Sequence, residues 1–248
     1  MFRAQHKEYS GMKPAAIVTG ATGGIGRMIV GRLVRSGFPV IALGTKSAGL
    51  AALGEETGCR TLVLDITDAS ASQAVLAGLD VGVLIHGAGL LGPQVALYDT
   101  SDELASKLVS TNILGTVNVL RALVPPMLQR DRGTIVLLGS ICATAPGTGP
   151  ALYSATKAAM HSMAANLRYD LRGSRLRVGE ILLGRVRTGI HEQLASGEDL
   201  YSGFECVMPE DVAETLLHML ETPPSVSLGT IEMMPTRQVV GGAHFSKG

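Results

Sequence analysis

The chain has no tryptophan and only 4% aromatic residues, so its core must be built mainly from aliphatic side chains. Cysteine is scarce as well. Cys59, Cys142 and Cys206 are widely spaced, odd in number and without metal-ligand spacing. That argues against a disulfide framework and a metal site, and fits reduced thiols in a cytoplasmic protein. Net charge is also missing: Lys+Arg and Asp+Glu both number 21. Nothing in that balance calls for nucleic acid or an anionic membrane as a partner. The local basic cluster Arg168, Arg172, Arg175 and Arg177 reads as a solvated helix end and loop, since cations suit a helix C-terminus. No apolar run reaches the length needed to span a bilayer. Residues 1–13 form a polar tail without the apolar stretch of a signal peptide.

What is present is an alternation. Short apolar runs at 15–19, 39–43, 60–64, 81–86, 134–138, 176–183 and 230–233 read as strands, several of them rich in Val, Ile and Leu. Strands buried on both faces have that composition. Helical patterns fall between them at 25–36, 48–56, 69–77, 101–128, 154–171 and 209–221. Strand and helix in repeated succession predict an α/β fold: one Rossmann-type, doubly wound parallel sheet of about seven strands with helices on both faces. Ligands then bind at the carboxyl ends of the strands. At 248 residues the chain suits a single domain, 14–248. Residues 184–208 lack clear periodicity, and a loop of that length predicts a substrate lid.

Thr19-Gly-Ala-Thr-Gly-Gly-Ile-Gly26 follows the first strand and opens the first helix. Glycines there allow a tight turn and close approach of backbone to a pyrophosphate. The helix N-terminus adds N–H donors and partial positive charge. The spacing differs from the commonest dinucleotide fingerprint, so the strand–turn–helix context carries the reading. Further along, Tyr153 and Lys157 lie four residues apart in an alanine-rich helical stretch. That spacing puts both on one face, about 6 Å apart along the axis. A cation near a phenol favours the phenolate and tunes it for proton transfer. Each feature has a plainer alternative: a glycine cluster can be an ordinary loop, and a helix-start tyrosine can simply pack on the core.

Taken together, these motifs resemble the short-chain dehydrogenase/reductase family, in its branch of about 250 residues, over roughly residues 15–235. The turn matches the family's Thr-Gly-x-x-x-Gly-x-Gly. Asp65 resembles its acidic residue near the adenine. His86-Gly-Ala-Gly89 is similar to its Asn-Asn-Ala-Gly, with both asparagines absent. Asn112, Ser140, Tyr153 and Lys157 match its catalytic residues in order and spacing. The resemblance implies that Tyr153 transfers a proton to or from the substrate oxygen. Lys157 lowers the phenol pKa and bonds the nicotinamide ribose, Ser140 donates to the substrate oxygen, and Asn112 holds a water linking Lys157 to solvent. It also implies a cofactor site formed by Gly20, Thr22, Gly24, Ile25, Gly26, Thr45, Lys46, Asp65, Ile66, Gly87, Ala88, Gly89, Tyr153, Lys157, Gly184, Val186 and Thr188. The family's Pro-Gly after the sixth strand is Leu183-Gly184 here, which predicts a looser turn because φ is no longer fixed. His86 reads as a packed or hydrogen-bonded residue, and Cys142 as a small apolar lining of the pocket.

NAD-binding chains place an acid at the end of the second strand. This chain has Gly44 there, followed by Thr45, Lys46 and Ser47, which suit a 2′-phosphate. NADP(H) is therefore favoured, NAD(H) remains possible, and Arg27 is a further candidate phosphate contact. The expected pocket walls, 90–98 and 141–152, are mostly small or apolar, which suits a small or medium ketone or secondary alcohol. Arg185 or Arg187 would instead anchor a carboxylate, and residues 229–236 resemble the ending of NADP-dependent hydroxy-acid dehydrogenases. The alternatives are a nicotinamide-binding sensor on the same fold, or an epimerase or dehydratase of the family's longer branch. The resemblance also implies a homodimer or homotetramer through the helices at 101–128 and 154–171. Ala155, Ala158, Ala159, Ala164 and Ala165 either permit that packing or face the sheet.

Overall fold

The computed structural model describes residues 12–145, 147–189 and 206–237. The polar tail up to residue 11 and most of the expected lid, 190–205, lie outside the described residues.

Seven strands form one parallel sheet in the order β3-β2-β1-β4-β5-β6-β7. They are β1 (Ala16–Thr19), β2 (Val40–Gly44), β3 (Arg60–Val63), β4 (Val83–His86), β5 (Gly133–Ser140), β6 (Leu176–Leu183) and β7 (Thr230–Met233). β1, β2 and β4 are buried throughout, which is why they read as unbroken apolar runs. Strand order reverses between β1 and β4, and that switch point opens a crevice at the carboxyl edge.

Two apolar layers sandwich the sheet. On one face α1 (Gly24–Arg35), α2 (Ser47–Thr57) and α7 (Pro209–Glu221) bury Ile29, Leu33, Leu50 and Leu216 against Val18, Ala42 and Ile181. On the other, α3 (Ala69–Leu76), α5 (Gly115–Gln129) and α6 (Ala151–Asp170) bury Leu76, Leu123, Met127 and Met160 against Ile17, Leu84 and Ile135.

The helix expected at 101–128 is α4 (Asp102–Val109) and α5 joined by a π-helical turn, Ser110–Leu114. By length and composition this helical stretch, Asp102–Gln129, would suffice to cross a membrane, contrary to the sequence reading. Here Val119, Ala122, Leu123 and Met127 spend that apolar character on the sheet. The basic cluster is also less solvated than expected. Arg168 donates to Val178 O and Gly229 O, and Arg177 to Thr134 Oγ1 and Leu220 O, tying β6 to its neighbours.

Candidate active site

The glycine turn closes tightly. Gly20 has φ +69°, and a Cβ on it would lie 2.7 Å from Gly87 O. A Cβ on Gly26 would lie 2.3 Å from Gly20 O. Only glycine fits either place, and the backbone of the turn is thereby pressed against the loop after β4. Gly23 caps α1 with no side-chain bond to the first-turn amides. That leaves a helix N-terminus suited to a phosphate, so the residues present fit a dinucleotide. Ile25 anchors the start of α1 in the core beneath the turn.

Thr22 leans from the turn toward the start of α2. Its Oγ1 is 3.6 Å from where a Cβ on Gly44 would sit, and its Cγ2 is 3.2 Å from that position on Gly49. Lys46 caps α2, and Thr45, Lys46 and Ser47 are exposed. Gly44, Thr22 and Lys46 thus share one open corner. Arg27 is not in that group: its guanidinium is committed to Glu56 at 2.6 Å. After β3, Asp65 folds back to accept from Thr67 N and Oγ1 at 2.9 and 2.8 Å. Ile66 is buried against the bare backbone of Gly115.

The missing asparagines are replaced by a buried chain of hydroxyls around His86. Gly87 N and Ala88 N both donate to Thr19 Oγ1 at 3.2 Å. Thr19 Oγ1 lies 2.9 Å from His86 Nδ1, and His86 Nε2 lies 3.0 Å from Thr116 Oγ1. Thr116 donates to Asn112 O at 2.7 Å. Thr116 therefore accepts from Nε2–H, and Nδ1 accepts from Thr19, which requires a neutral imidazole. Burial, with Lys157 a lesser cause, pushes the His86 pKa down to about 3. His86 is a hydrogen-bonded strand end, in line with its reading from the sequence as a packed or hydrogen-bonded residue. Thr19 and Thr116 went unrecognised, because nothing in the sequence marks a threonine that pairs across 67 or 30 residues.

Asn112 occupies the π turn, almost wholly buried. Its Oδ1 accepts from Leu90 N at 2.8 Å, and Nδ2 donates to Leu90 O at 2.8 Å and Thr156 Oγ1 at 3.0 Å. Both amide hydrogens are engaged. Asn112 therefore clamps residue 90 to α6, and its acceptors for a water are the backbone carbonyl already used by Thr116 and the second lone pair of Oδ1.

Ser140 ends β5, and its Oγ accepts from Cys142 N at 3.2 Å, leaving the hydroxyl hydrogen to donate. Tyr153 and Lys157 rise from the first turns of α6. Lys157 Nζ donates to Leu138 O at 2.9 Å and stands 5.8 Å from the Tyr153 ring centroid. Gly89 lies beside it: a Cβ there would be 3.8 Å from Nζ. Burial pushes the Tyr153 phenol above its ordinary value, Cys142 adds to this, and a hydrogen bond with Ser140 opposes it. Because the residue is only half-buried, solvent tempers that push. The lowering by Lys157 expected from the spacing is not the effect that wins here. Burial brings Lys157 itself down to about 8, against the raising influence of Glu180 and Cys142.

The turn after β6 is held despite the absent proline. Gly184 N donates to Met233 O at 2.8 Å, and Val186 bridges Val207 in parallel. Strand-like pairing at residues 184, 186 and 187 takes the place of the fixed φ. Thr188 packs across the crevice, 3.2 Å from a Cβ position on Gly24. Beside the catalytic candidates lies a cavity of about 430 Å³ lined by Gln94, Val95, Ala96, Gly147, Gly149, Ala151 and Ser154. Cys142 borders Gly149 and accepts from Thr148 Oγ1 at 3.4 Å.

Comparison with known proteins agrees with this arrangement. The short chain dehydrogenase family model matches residues 14–199. An uncharacterized short-chain type dehydrogenase/reductase of Sinorhizobium fredii is 37% identical over 94% of this chain and 95% of its own. The NADP-dependent 3-hydroxy acid dehydrogenase YdfG of Salmonella typhi is 35% identical over 91% and 96%. Serine 3-dehydrogenase of Rhizobium radiobacter is 34% identical over 93% and 97%. Among solved structures, the closed form of serine dehydrogenase complexed with NADP+ superposes with TM-score 0.87 at 33% identity, covering 92% of this chain and 97% of that one. The chain belongs to the short-chain dehydrogenase/reductase family and is an oxidoreductase of that family's α/β fold.

Proposed function

We propose that the protein is an NADP(H)-dependent enzyme interconverting a small or medium ketone and its secondary alcohol. The observation that carries this reading is the grouping of Ser140, Tyr153 and Lys157: Ser140 hydrogen-bonds the Tyr153 phenol, and Lys157 Nζ stands 5.8 Å from the Tyr153 ring centroid. When bound, the nicotinamide supplies the hydride chemistry. Tyr153 passes the proton to or from the substrate oxygen, and Ser140 donates a hydrogen bond to the same oxygen. Lys157 directs its ammonium at the ribose side of the site, and Asn112 fixes the π turn behind it. Gly20, Thr22, Gly24, Ile25 and Gly26 cradle the pyrophosphate, while Asp65, Ile66, Gly87, Ala88 and Gly89 form the adenine and ribose wall. Gly184, Val186 and Thr188 close over the nicotinamide end, with residues 184–208 as the lid of a domain spanning 14–248. Thr45 and Lys46 receive the 2′-phosphate, in keeping with the NADP named for the hydroxy acid and serine relatives.

A second reading, a hydroxy-acid dehydrogenase, is favoured by Arg185 and Arg187 beside the Val186–Val207 bridge. Named relatives act on 3-hydroxy acids, serine and sulfoacetaldehyde, all carrying an acidic group. Assembly as a homo-oligomer is supported by Leu114, Leu128, Ala155, Ala158, Ala165 and Tyr169, all exposed on the long helices or the π turn. Ala164 instead faces the core. Free thiols at all three cysteines suit a cytoplasmic setting.

The deciding experiment compares NADP+ reduction with 3-hydroxy acids and with neutral secondary alcohols, beside a fluorescence titration with NADPH and NADH. Turnover of either class with tighter NADPH binding is expected. Cofactor binding without turnover of any carbonyl or alcohol would favour the sensor reading.

A further inference from the structure

Among the described residues, Glu180 holds the one buried side-chain oxygen without a hydrogen-bond partner, Oε1. Glu180 has 0% exposure and lies in the middle of β6. Strand alternation sends Gly179 toward Met219 of α7 and Glu180 to the opposite face, under α6. There Oε2 accepts from His161 Nδ1 at 2.7 Å. Oε1 reaches beneath β5, 2.7 Å from where a Cβ on Gly139 would be, so only a glycine leaves it room. Lys157 Nζ bonds Leu138 O, on the same Leu138–Gly139 peptide. Carboxylate and ammonium therefore converge on one peptide unit. Lys157 and His161 sit one helical turn apart on the same face of α6.

A carboxylate in this place is costly, because burying an ion carries a penalty of several kcal/mol after relaxation. Val178, two residues earlier on the same face, shows that an apolar side chain packs there. His161 satisfies only one oxygen and is itself about one-third exposed. The titratable groups around the lysine are Tyr153 and His161 on α6, Cys142 after β5, His86 on β4 and Glu180 on β6.

We propose that Glu180, held by His161, is a positioning residue that keeps Lys157 charged and directed at the active-site cleft. This deepens the oxidoreductase reading and rests on the role given there to Lys157. Glu180 is the first of two influences that raise Lys157 against burial. Removing its charge lowers the pH at which Lys157 loses its proton.

Lysine labelled with 13C at Cε, in wild type and Glu180→Gln, reads that titration directly, with Lys157→Met identifying the signal. Wild type is expected near pH 8, Glu180→Gln about one unit lower, and Glu180→Asp close to wild type. In kcat/KM for NADPH-dependent reduction, Glu180→Gln should then lose about fivefold at pH 8 and little at pH 6. An unchanged Lys157 midpoint in folded Glu180→Gln overturns the proposal. So does an equal loss of activity at every pH that Glu180→Asp does not relieve. If Glu180→Gln fails to fold, His161→Leu replaces it: without the bond to Oε2 the carboxylate is no longer held beneath the Leu138–Gly139 peptide, the lysine midpoint should fall, and no movement overturns the proposal. A wild type without turnover but with a Glu180-dependent lysine midpoint would sink the oxidoreductase reading alone.

Discussion

His86 Nε2 lies 3.0 Å from Thr116 Oγ1, and Thr116 donates onward to the carbonyl of Asn112 at 2.7 Å. Through this contact the end of β4 fixes the π turn that carries Asn112. The imidazole must stay neutral for the chain of bonds to close. Its folded pKa of about 3 lies below the ordinary 6.5. A group with a depressed folded pKa contributes stability that is present above the unfolded value and is lost as pH falls toward the folded one. Between about pH 6.5 and 3, His86 should therefore cost up to about 1.4 kcal/mol per pH unit. His86→Asn is expected to be less stable by about 1–3 kcal/mol at pH 7, from the loss of the buried bond to Thr116. Its deficit should close or reverse by about pH 4. Thermal melts of both proteins across that range check it. A constant gap would mean that His86 is not buried neutral.

In the proposed mechanism Tyr153 transfers the proton and Ser140 holds the substrate oxygen. Tyr153→Phe keeps the ring packing and removes the hydroxyl. Turnover should fall by about 10²–10⁴, the usual worth of a positioned general acid or base. NADPH affinity should stay within a few-fold. Steady-state rates and cofactor fluorescence on one preparation separate the two effects.

Cofactor choice should follow the corner formed by Thr22, Gly44 and Lys46. A Cβ on Gly44 meets Thr22 Oγ1 only at 3.6 Å, an ordinary contact, so the backbone there accepts a side chain without a clash at Cβ. Gly44→Asp should weaken NADPH and strengthen NADH. Lys46→Ala should cost NADPH about 10- to 100-fold, the worth of one charge-assisted bond, and leave NADH unchanged. Parallel titrations with both cofactors test this. Equal losses for the two would remove Lys46 from the phosphate site.

Strand and helix placement were legible because strands buried on both faces, such as β1, β2 and β4, announce themselves as unbroken apolar runs. Tyr153 and Lys157 were legible as a pair sharing a helix face, while Asn112 and Ser140 stood out only through the family resemblance. Other features depend on distant partners. The π turn at Ser110–Leu114 leaves the helical pattern uninterrupted, so no local signal betrays it. Thr19 and Thr116 look like ordinary β-branched residues until His86 joins them. Glu180 interrupts the apolar alternation of β6, a visible clue, but its meaning required His161 and Gly139 to be placed beside it. The pairing of Val186 was hidden because Val207, its bridging partner, lies beyond a long aperiodic segment.

The glycine turn offers the sharpest steric contrast. A Cβ on Gly26 would stand 2.3 Å from Gly20 O and 2.8 Å from Ala21 Cα, both backbone atoms that cannot swing aside. Gly26→Ala must therefore open the turn. It is expected to cost about 1–3 kcal/mol, as overpacking does, and to abolish binding of both cofactors. Gly23, three residues earlier, has φ −73°, and its nearest contact would be Gly20 O at 3.4 Å. Gly23→Ala should leave stability within about 0.5 kcal/mol, as most substitutions away from special backbone do. Denaturant unfolding and NADPH titration of the two variants give four values. If Gly26→Ala matched Gly23→Ala in all respects, the turn would not be the tight cradle that its geometry describes.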